Sequence, residues 1–493
     1  MRTVKCCFLA LFWTAGASLL GCGGSVNPPP SGQATVTVAS TGTANDQLAR
    51  FDLYINSFSL TNTSGDRVSL ISSPINAEFM GVNGDGEPLF TTSIPRATYT
   101  SATMSVMVGA FECVTLGQSG GLIFSTFAVQ NEATDVTVDV PSPLEISGSD
   151  AVLALDLLVS KSASWTTCDP NGIQPFSITP TLDLTAMTLS SQPSNSQNGL
   201  ESGLGGLITT VSATSGSFTV MADDGQGCAG TDAGANCSPP AAYAPTWQVA
   251  TDSSTVYDGV VGISQLVPGM GVEMDAGLQP DGSLLAKRVW VYDSDADNLT
   301  VAHGPLVFNS LVAGYESLEM SPVRELGPLA LAPITFSYSA AVFQISGGFT
   351  NLSELPFAPN FGAANAVDGQ NVYATTHALQ LSIPPVFVPA TSITLIPQTI
   401  DGTVGAIGSE GGFTTYTVTL APYDLFPALA VQPGQTTLLT DPNTVVVYAD
   451  ANTQMLNTSP LAVGSVVRFY GLVFNDNGAL RMDCAQINDG VAE

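Results

Sequence analysis

Along nearly every segment bounded by Gly, Pro, Asn or Ser, apolar residues recur at alternate positions, and this period constrains the fold more than any other feature. Ala34-Thr-Val-Thr-Val38, Phe51-Asp-Leu-Tyr-Ile55, Ser217-Phe-Thr-Val220 and Tyr416-Thr-Val-Thr-Leu420 carry the pattern and are rich in β-branched residues. A period of two points side chains to opposite faces of a strand, whereas a helix face needs a period near 3.6. No amphipathic stretch of helical length has convincing caps, and Ala151 to Ser160, rich in Leu and Ala, reads as a buried strand. The expectation is an all-β protein. Its 493 residues exceed what one core accommodates, and the length predicts about three or four domains. The uncharged run from His377 to Ile400 is interrupted by Pro384, Pro385, Pro389 and Pro397, which argues against a membrane-spanning helix.

The N-terminus follows different rules. Arg2 and Lys5 precede an apolar core from Phe8 to Leu20, which ends among small residues at Leu19-Leu20-Gly21-Cys22. This is the layout of an export signal over residues 1–21. The 13 residues from Phe8 to Leu20 fall short of the roughly 20 that span a bilayer. An ordinary secretory signal is one reading, but the cysteine favours another. The stretch resembles the lipobox of bacterial lipoproteins, which implies cleavage between Gly21 and Cys22 and a lipid carried on Cys22. A diacylglyceryl group plus an N-acyl chain then holds firmly, since each buried methylene contributes about 0.8 kcal/mol. Gly23 stands where an aspartate commonly retains such proteins at the inner membrane, so the resemblance implies the outer membrane, facing the periplasm or the cell exterior. The remainder of residues 22–33, with Pro28 to Pro30, has too little apolar surface to fold and reads as a tether reaching roughly 35 Å.

Charge narrows the partners. The chain has 11 Lys+Arg against 41 Asp+Glu, formally −30, and loss of Arg2 and Lys5 makes the mature chain −32. Such a surface repels phosphate backbones and argues against nucleic acid; solubility is the simpler explanation than cation storage. Of eight cysteines, Cys6 and Cys7 leave with the signal and Cys22 takes the lipid. Cys113, Cys168, Cys228, Cys237 and Cys484 form no C-x-x-C pair and have only His303 and His377 to join them, so a zinc site is not indicated. Disulfides are the expectation in an exported chain. Cys228 and Cys237 flank the small-residue loop Ala-Gly-Thr-Asp-Ala-Gly-Ala-Asn, Cys113 and Cys168 are candidates to staple the first domain, and Cys484 is the odd thiol. Each bridge contributes about 2 to 4 kcal/mol.

The first domain spans residues 34–189. It contains Phe51-Asp-Leu-Tyr-Ile-Asn-Ser-Phe-Ser-Leu60, the polar turn Ser64-Gly-Asp-Arg67, Ile94-Pro-Arg-Ala-Thr-Tyr99 and Phe176-Ser-Ile-Thr-Pro-Thr-Leu182. A proline and turn before Tyr99 predict a corner between two sheets. These segments resemble an uncharacterised β-sandwich family of bacterial lipoproteins, with Ala97 where that family has glycine. Residues 190–205, rich in Ser, Gln, Asn and Gly, read as a linker. Beyond it one order of motifs occurs twice. The unit at 206–298 has Gly206-Leu-Ile-Thr-Thr-Val211, Leu266-Val-Pro-Gly269 and a hairpin through Asp281-Gly282; the unit at 400–493 has Gly402-Thr-Val404, Leu461-Ala-Val-Gly464 and a hairpin through Asn477-Gly478. Both hairpins need positive φ. Residues 299–399 form a degenerate unit with Ile345-Ser-Gly-Gly348 and Val367-Asp-Gly-Gln370. The units resemble a second uncharacterised family, small OB-like barrels found in tandem in exported bacterial proteins. OB-like barrels bind oligonucleotides and sugars on one face, but a fold does not imply a function.

Residues suited to chemistry are sparse. Gly117-Gln-Ser-Gly-Gly121 spells a nucleophile elbow, yet no helix follows and neither histidine lies in that domain, so a β-turn is the better reading. Asp293, Asp295 and Asp297 alternate as in the opening of a calcium loop. Asn298 replaces the glycine of an EF-hand and Gly304 its bidentate glutamate, so an interdomain linker is favoured and a Ca²⁺ site is the alternative. Trp165, Trp247 and Trp290 could stack on sugars, but their places in or beside strands favour packing. His303 and His377 are isolated.

The sequence therefore leads to an all-β protein, a β-sandwich followed by tandem OB-like barrels, anchored to membrane lipid through Cys22. It is expected to act without catalysis as a binding or structural module of the cell envelope, with a glycan or protein partner. An exported carbohydrate-active enzyme or other hydrolase is the alternative that paired carboxylates in a dry pocket would favour. A glycan-binding adhesin is the alternative that an exposed aromatic groove would favour.

Overall fold

The computed structural model describes residues 32–42, 48–80, 86–116, 122–128, 134–164, 177–189, 200–222, 245–292, 299–308, 315–318, 334–346, 352–377, 386–422, 424, 426–430, 439–456 and 460–488. The fold is all-β: a sandwich followed by small five-stranded barrels. Among the described residues no helix is long and apolar enough to cross a membrane.

The sandwich contains β1 (Gln33–Gly42), β2 (Leu48–Asn62), β3 (Arg67–Ser69), β4 (Ile75–Glu78), β5 (Glu87–Pro95), β6 (Ala97–Leu116), β7 (Leu122–Ala128), β8 (Thr134–Val138), β9 (Leu144–Ile146), β10 (Asp150–Leu157), β11 (Ala163–Ser164), β12 (Ser177–Ile178) and β13 (Leu182–Met187). One sheet has the order β13-β10-β1-β5, with β1 and β10 parallel; the other is built on β2 and β6. Val36 and Val38 of β1 and Leu153 and Leu155 of β10 meet Phe51, Leu53, Ile55 and Phe58 of β2 in one core, as alternation requires. At Arg96 the chain passes from the first sheet to the second. Tyr99 is buried at this corner, and its hydroxyl donates to the Pro95 carbonyl at 2.6 Å, so the ring is buried without leaving the hydroxyl unpaired. The strand expected to run to Ser160 ends at Leu157, the last residue of β10 that β13 pairs, and a single turn, α1 (Val159–Ser162), follows.

The next unit contains β14 (Leu200–Ser212), β15 (Ser217–Ala222), β16 (Thr246–Ala250), β17 (Val256–Asp258), β18 (Gly271–Leu278) and β19 (Leu284–Tyr292). Strands β16-β15-β14-β18-β19 are hydrogen-bonded in that order, and β19 returns to pair with β16 in parallel, closing a barrel. First, second, third, fifth and fourth strands thus form the ring, a Greek-key barrel of the OB type. The start of β14 corrects the expected linker over 190–205. Residues 200–205 are strand because Leu204 is buried in the barrel core and Leu200 to Gly205 pair with β18.

The middle unit contains β20 (Leu299–Phe308), β21 (Tyr315–Leu318), β22 (Ile334–Ser337), β23 (Val342–Ile345), β24 (Asn371–His377), β25 (Val386–Pro389) and β26 (Ser392–Leu395). Although degenerate in sequence, it closes the same ring: β22 pairs β25 in parallel, and β26 pairs β24, which pairs β20. Its last strand is split into β25 and β26 around Ala390 and Thr391. The third barrel contains β27 (Gln398–Glu410), β28 (Phe413–Leu420), α2 (Phe426–Ala430), β29 (Thr444–Ala449), β30 (Gln454–Leu456), β31 (Val466–Asp476) and β32 (Ala479–Asn488), closed by parallel pairing of β29 with β32.

Repeated hydrogen bonds confirm the equivalence of the units. Gly269 N–H donates to the Ile208 carbonyl at 2.8 Å, Gly369 to Leu306 at 2.8 Å and Gly464 to Val404 at 2.7 Å. Val367-Asp-Gly-Gln370 therefore enters the fourth strand of its barrel, where Val267-Pro-Gly-Met270 stands in the first. Gly206 and Gly402 are constrained alike: a Cβ would overlap the carbonyl of Met221 or Thr419 on the facing strand, which explains a glycine at the start of each repeat.

The units pack against one another. Ala39 and Val152, on the outer face of the β1 sheet, belong to the apolar cluster of the first barrel, and Trp247 Nε1 donates across this junction to the Pro88 carbonyl at 2.7 Å. Trp290, Tyr373 and Ile396 join the first barrel to the chain beyond it. Leu355, Phe357 and Leu395 of the middle unit pack on Phe413, Tyr448, Tyr470, Leu472 and Phe474 of the third barrel.

Candidate functional site

The chemistry-bearing residues gather where units meet. On β18, Val272, Met274 and Ala276 point into the first barrel, so Glu273 and Asp275 point out. On β19 a register shift opposite Asp275 and Ala276 makes Lys287 an extra residue, a bulge that sends Lys287 and Arg288 to the outer side. All four are nonetheless buried. From the middle unit, Ser346 Oγ donates to Asp275 Oδ2 at 2.9 Å. Burial lowers the Lys287 ammonium from its ordinary 10.5 to about 8, partly countered by Asp275 and Asp252. Arg288 Nε donates to Asp258 Oδ2 at 2.6 Å, and its guanidinium lies 4.4 Å from the Trp290 ring centroid. Trp290 in turn meets the Tyr373 ring edge-on at 4.6 Å.

The corresponding face of the third barrel has different chemistry. Tyr448 is buried, donates to Glu410 Oε2 at 2.9 Å and accepts from an Arg481 terminal nitrogen. Arg481 Nε donates to Asp476 Oδ2 at 2.7 Å, and its guanidinium lies 5.5 Å from the Phe357 ring and 5.6 Å from the Tyr448 ring. Burial, reinforced by Glu410, raises the Tyr448 hydroxyl to about 12. At that value it remains a proton donor across the physiological range.

A third cluster relates the sandwich to the third barrel. Asp156 of β10 lies opposite Asp183 of β13, and Thr41 Oγ1 donates to Asp156 Oδ1 at 3.0 Å. The positive charge acting on it is Arg468 of β31, buried with its Nε 3.9 Å from Asp401 Oδ1. Burial raises the Asp156 carboxyl from 3.8 to about 6; Arg468 and Thr41 draw it down and Asp183 pushes it up.

Of the residues expected from sequence, Gly21, Cys22, Asp293, Asp295, Asp297, Cys168, Cys228, Cys237 and Trp165 lie outside the described residues. Cys113 is buried on β6 and disulfide-bonded, its partner outside the described residues. Cys484 is a buried thiol that donates to the Gln486 carbonyl at 3.2 Å, and burial raises its pKa. Gly117 to Gly121 also lie outside; they join β6 to β7, which pair antiparallel up to Leu116 and Leu122. His303 and His377 sit on paired strands β20 and β24, opposite Tyr373 and Leu299 respectively. Trp247 and Trp290 are buried packing residues. Among the described residues, no three or more His, Cys, Asp or Glu are placed to hold a metal ion.

Alternation correctly turns Glu273, Asp275 and Arg468 away from the barrel cores, but it assigns an outward charge to solvent. The available signal was the company they keep: Tyr470, Leu472 and Phe474 share the outer side of β31 with Arg468, and Trp290 shares that of β19 with Arg288. Outward aromatic and aliphatic residues imply another covering layer.

The closed first barrel coincides with one recognised family. Residues 205–289 match a domain of unknown function, DUF5666. The match covers β15 to β18, all but the first residues of β14, and β19 to Val289. No curated protein matches the chain.

Proposed function

We propose that the chain is a lipid-anchored, non-enzymatic module of the bacterial outer membrane, facing the periplasm or the cell exterior, in which the sandwich and barrels form a scaffold held at the lipid surface by Cys22. The carrying observation is continuity: the export segment ends at Leu19-Leu20-Gly21-Cys22, the proline-bearing tether follows, and β1 begins at Gln33. The paired charges between the units support a structural role, because carboxylates and cations that neutralise one another hold surfaces together. Within this reading Cys113 pairs with Cys168 and Cys228 with Cys237, giving an exported chain two internal staples. Palmitate labelling of the producing cells tests the anchor. The wild type should incorporate label and Cys22→Ser should not; label persisting in Cys22→Ser would overturn the assignment. A glycan and peptidoglycan array probed with residues 23–493 tests for the envelope partner.

A further inference from the structure

We propose that the outer face of the third barrel is a recognition groove for a short segment with an aliphatic residue, a proline and an aromatic residue in succession, and that residues 352–361 of the middle unit occupy it as a displaceable strap. The strap is irregular: a single 3₁₀ turn (Leu352–Glu354) leads into Leu355, Pro356 and Phe357. Leu355 and Phe357 are buried against Phe413, Tyr448, Leu472 and Phe474, with the Phe357 ring 5.0 Å from that of Tyr448 and 5.9 Å from that of Phe474. Between these anchors Pro356 meets the turn that joins β27 to β28. Gly411 of that turn has φ of 60°, and an added Cβ would lie 3.0 Å from the proline Cβ. The Arg481 guanidinium, 5.5 Å from the Phe357 ring, favours an aromatic face at that position over an aliphatic chain.

Two features make the strap exchangeable. The polar groups around the groove find their partners within the third barrel: Tyr448 donates to Glu410 at 2.9 Å, and Arg481 donates to Tyr448 and, at 2.7 Å, to Asp476. Releasing the strap strands none of these groups and re-exposes apolar surface, which another segment of the same chemistry can cover. Among the described residues, the hydrogen bonds of the strap stay within the middle unit, from Asn360 N–H to the Ala358 carbonyl at 2.8 Å and from Asn365 Nδ2 to the Asn360 carbonyl at 2.6 Å. The two units stay joined without it, because Gln370 Nε2 donates to the Val473 carbonyl at 2.8 Å and Val367 packs in the core of the third barrel. Side-chain anchors seated in a preformed aromatic groove, with proline limiting the ordering cost, are a general mode of recognising short segments. The groove does not depend on lipid attachment.

Fluorescence anisotropy of a labelled synthetic peptide of residues 352–361 tests it on the full chain. Leu355→Ser combined with Phe357→Ser empties the groove, and this variant should bind the peptide saturably. Wild type, whose own strap competes at an effective concentration in the millimolar range, should bind at least about tenfold more weakly. A peptide carrying Phe357→Ala should lose binding to the variant. Absent binding to the variant, equal binding to wild type or an unaffected Phe357→Ala peptide overturns the proposal. So does a variant that dimerises in light scattering and that excess peptide does not return to monomer, since a second copy would then be the occupant. If the double variant does not fold, Phe357→Leu, which keeps an apolar anchor, decides: it should bind the peptide several-fold more tightly than wild type, and equal binding overturns the proposal.

Discussion

The first and third barrels share one ring of five strands, the same loop hydrogen bonds and the same crowded glycine, yet they meet the middle unit with different chemistry. The first offers Asp275, which accepts from Ser346, and Trp290, which meets Tyr373; the third offers Tyr448, Leu472 and Phe474. The inward residues that close a barrel are held to one solution by packing, while the outward residues are free to vary with what they touch. An apolar contact gains from area removed from water, whereas a buried ion pair gains mainly in selectivity, since desolvation offsets much of its attraction.

Truncating the apolar contact should have the largest effect. Phe474→Ala, at a buried ring 5.9 Å from Phe357, should lower stability by about 3 to 5 kcal/mol in denaturant unfolding. On the charged face, Asp275→Ala removes the larger of the two carboxylate charges acting on the buried Lys287 ammonium and should lower stability by about 3 kcal/mol, while Asp275→Leu combined with Lys287→Met should be neutral or stabilising. A double variant as unstable as the single one would show that the first barrel depends on its ions as strongly as the third depends on its rings.

Titration sharpens the same contrast at smaller amplitude. Lys287 has a lowered folded value of about 8 against an ordinary 10.5, so the unfolded chain binds more protons between those values and stability from this group rises as pH increases across them. The thermal midpoint of wild type should show that rise relative to Lys287→Met; a difference that stays constant with pH would refute it. The smallest effects should be alike in both barrels. Thr255 Oγ1 donates to the Ala286 carbonyl at 2.7 Å and Thr453 Oγ1 to the Cys484 carbonyl at 2.8 Å, so Thr255→Ala and Thr453→Ala should each lower stability by about 1 kcal/mol. Markedly unequal losses would break the equivalence of the repeats.

What the sequence disclosed divides along the same line. Local chemistry made the strands legible: Phe51 to Leu60 lies within β2, and Asn477-Gly478 forms a turn with φ of 53° and 94°. Proline before Tyr99 marked the sheet corner. The middle unit was harder because its last strand is split, which breaks the alternating run that signals a strand. The clusters at Asp156, Asp275 and Arg468 were not legible as sites. Their strand positions follow from period two, but their burial depends on other units, as for Asp275 and Ser346, 71 residues apart, and no local pattern records such a contact.

One placement in the sandwich has a mechanical consequence. The first strand, β1, is an interior strand, flanked by parallel β10 and antiparallel β5. Tension entering ahead of Gln33 would run along β1 and load both ladders in shear, so that many hydrogen bonds resist together rather than opening one at a time. A first strand at a sheet edge, pulled away from its neighbour, would peel. This domain is therefore built to bear a pull from the end at which the chain enters it.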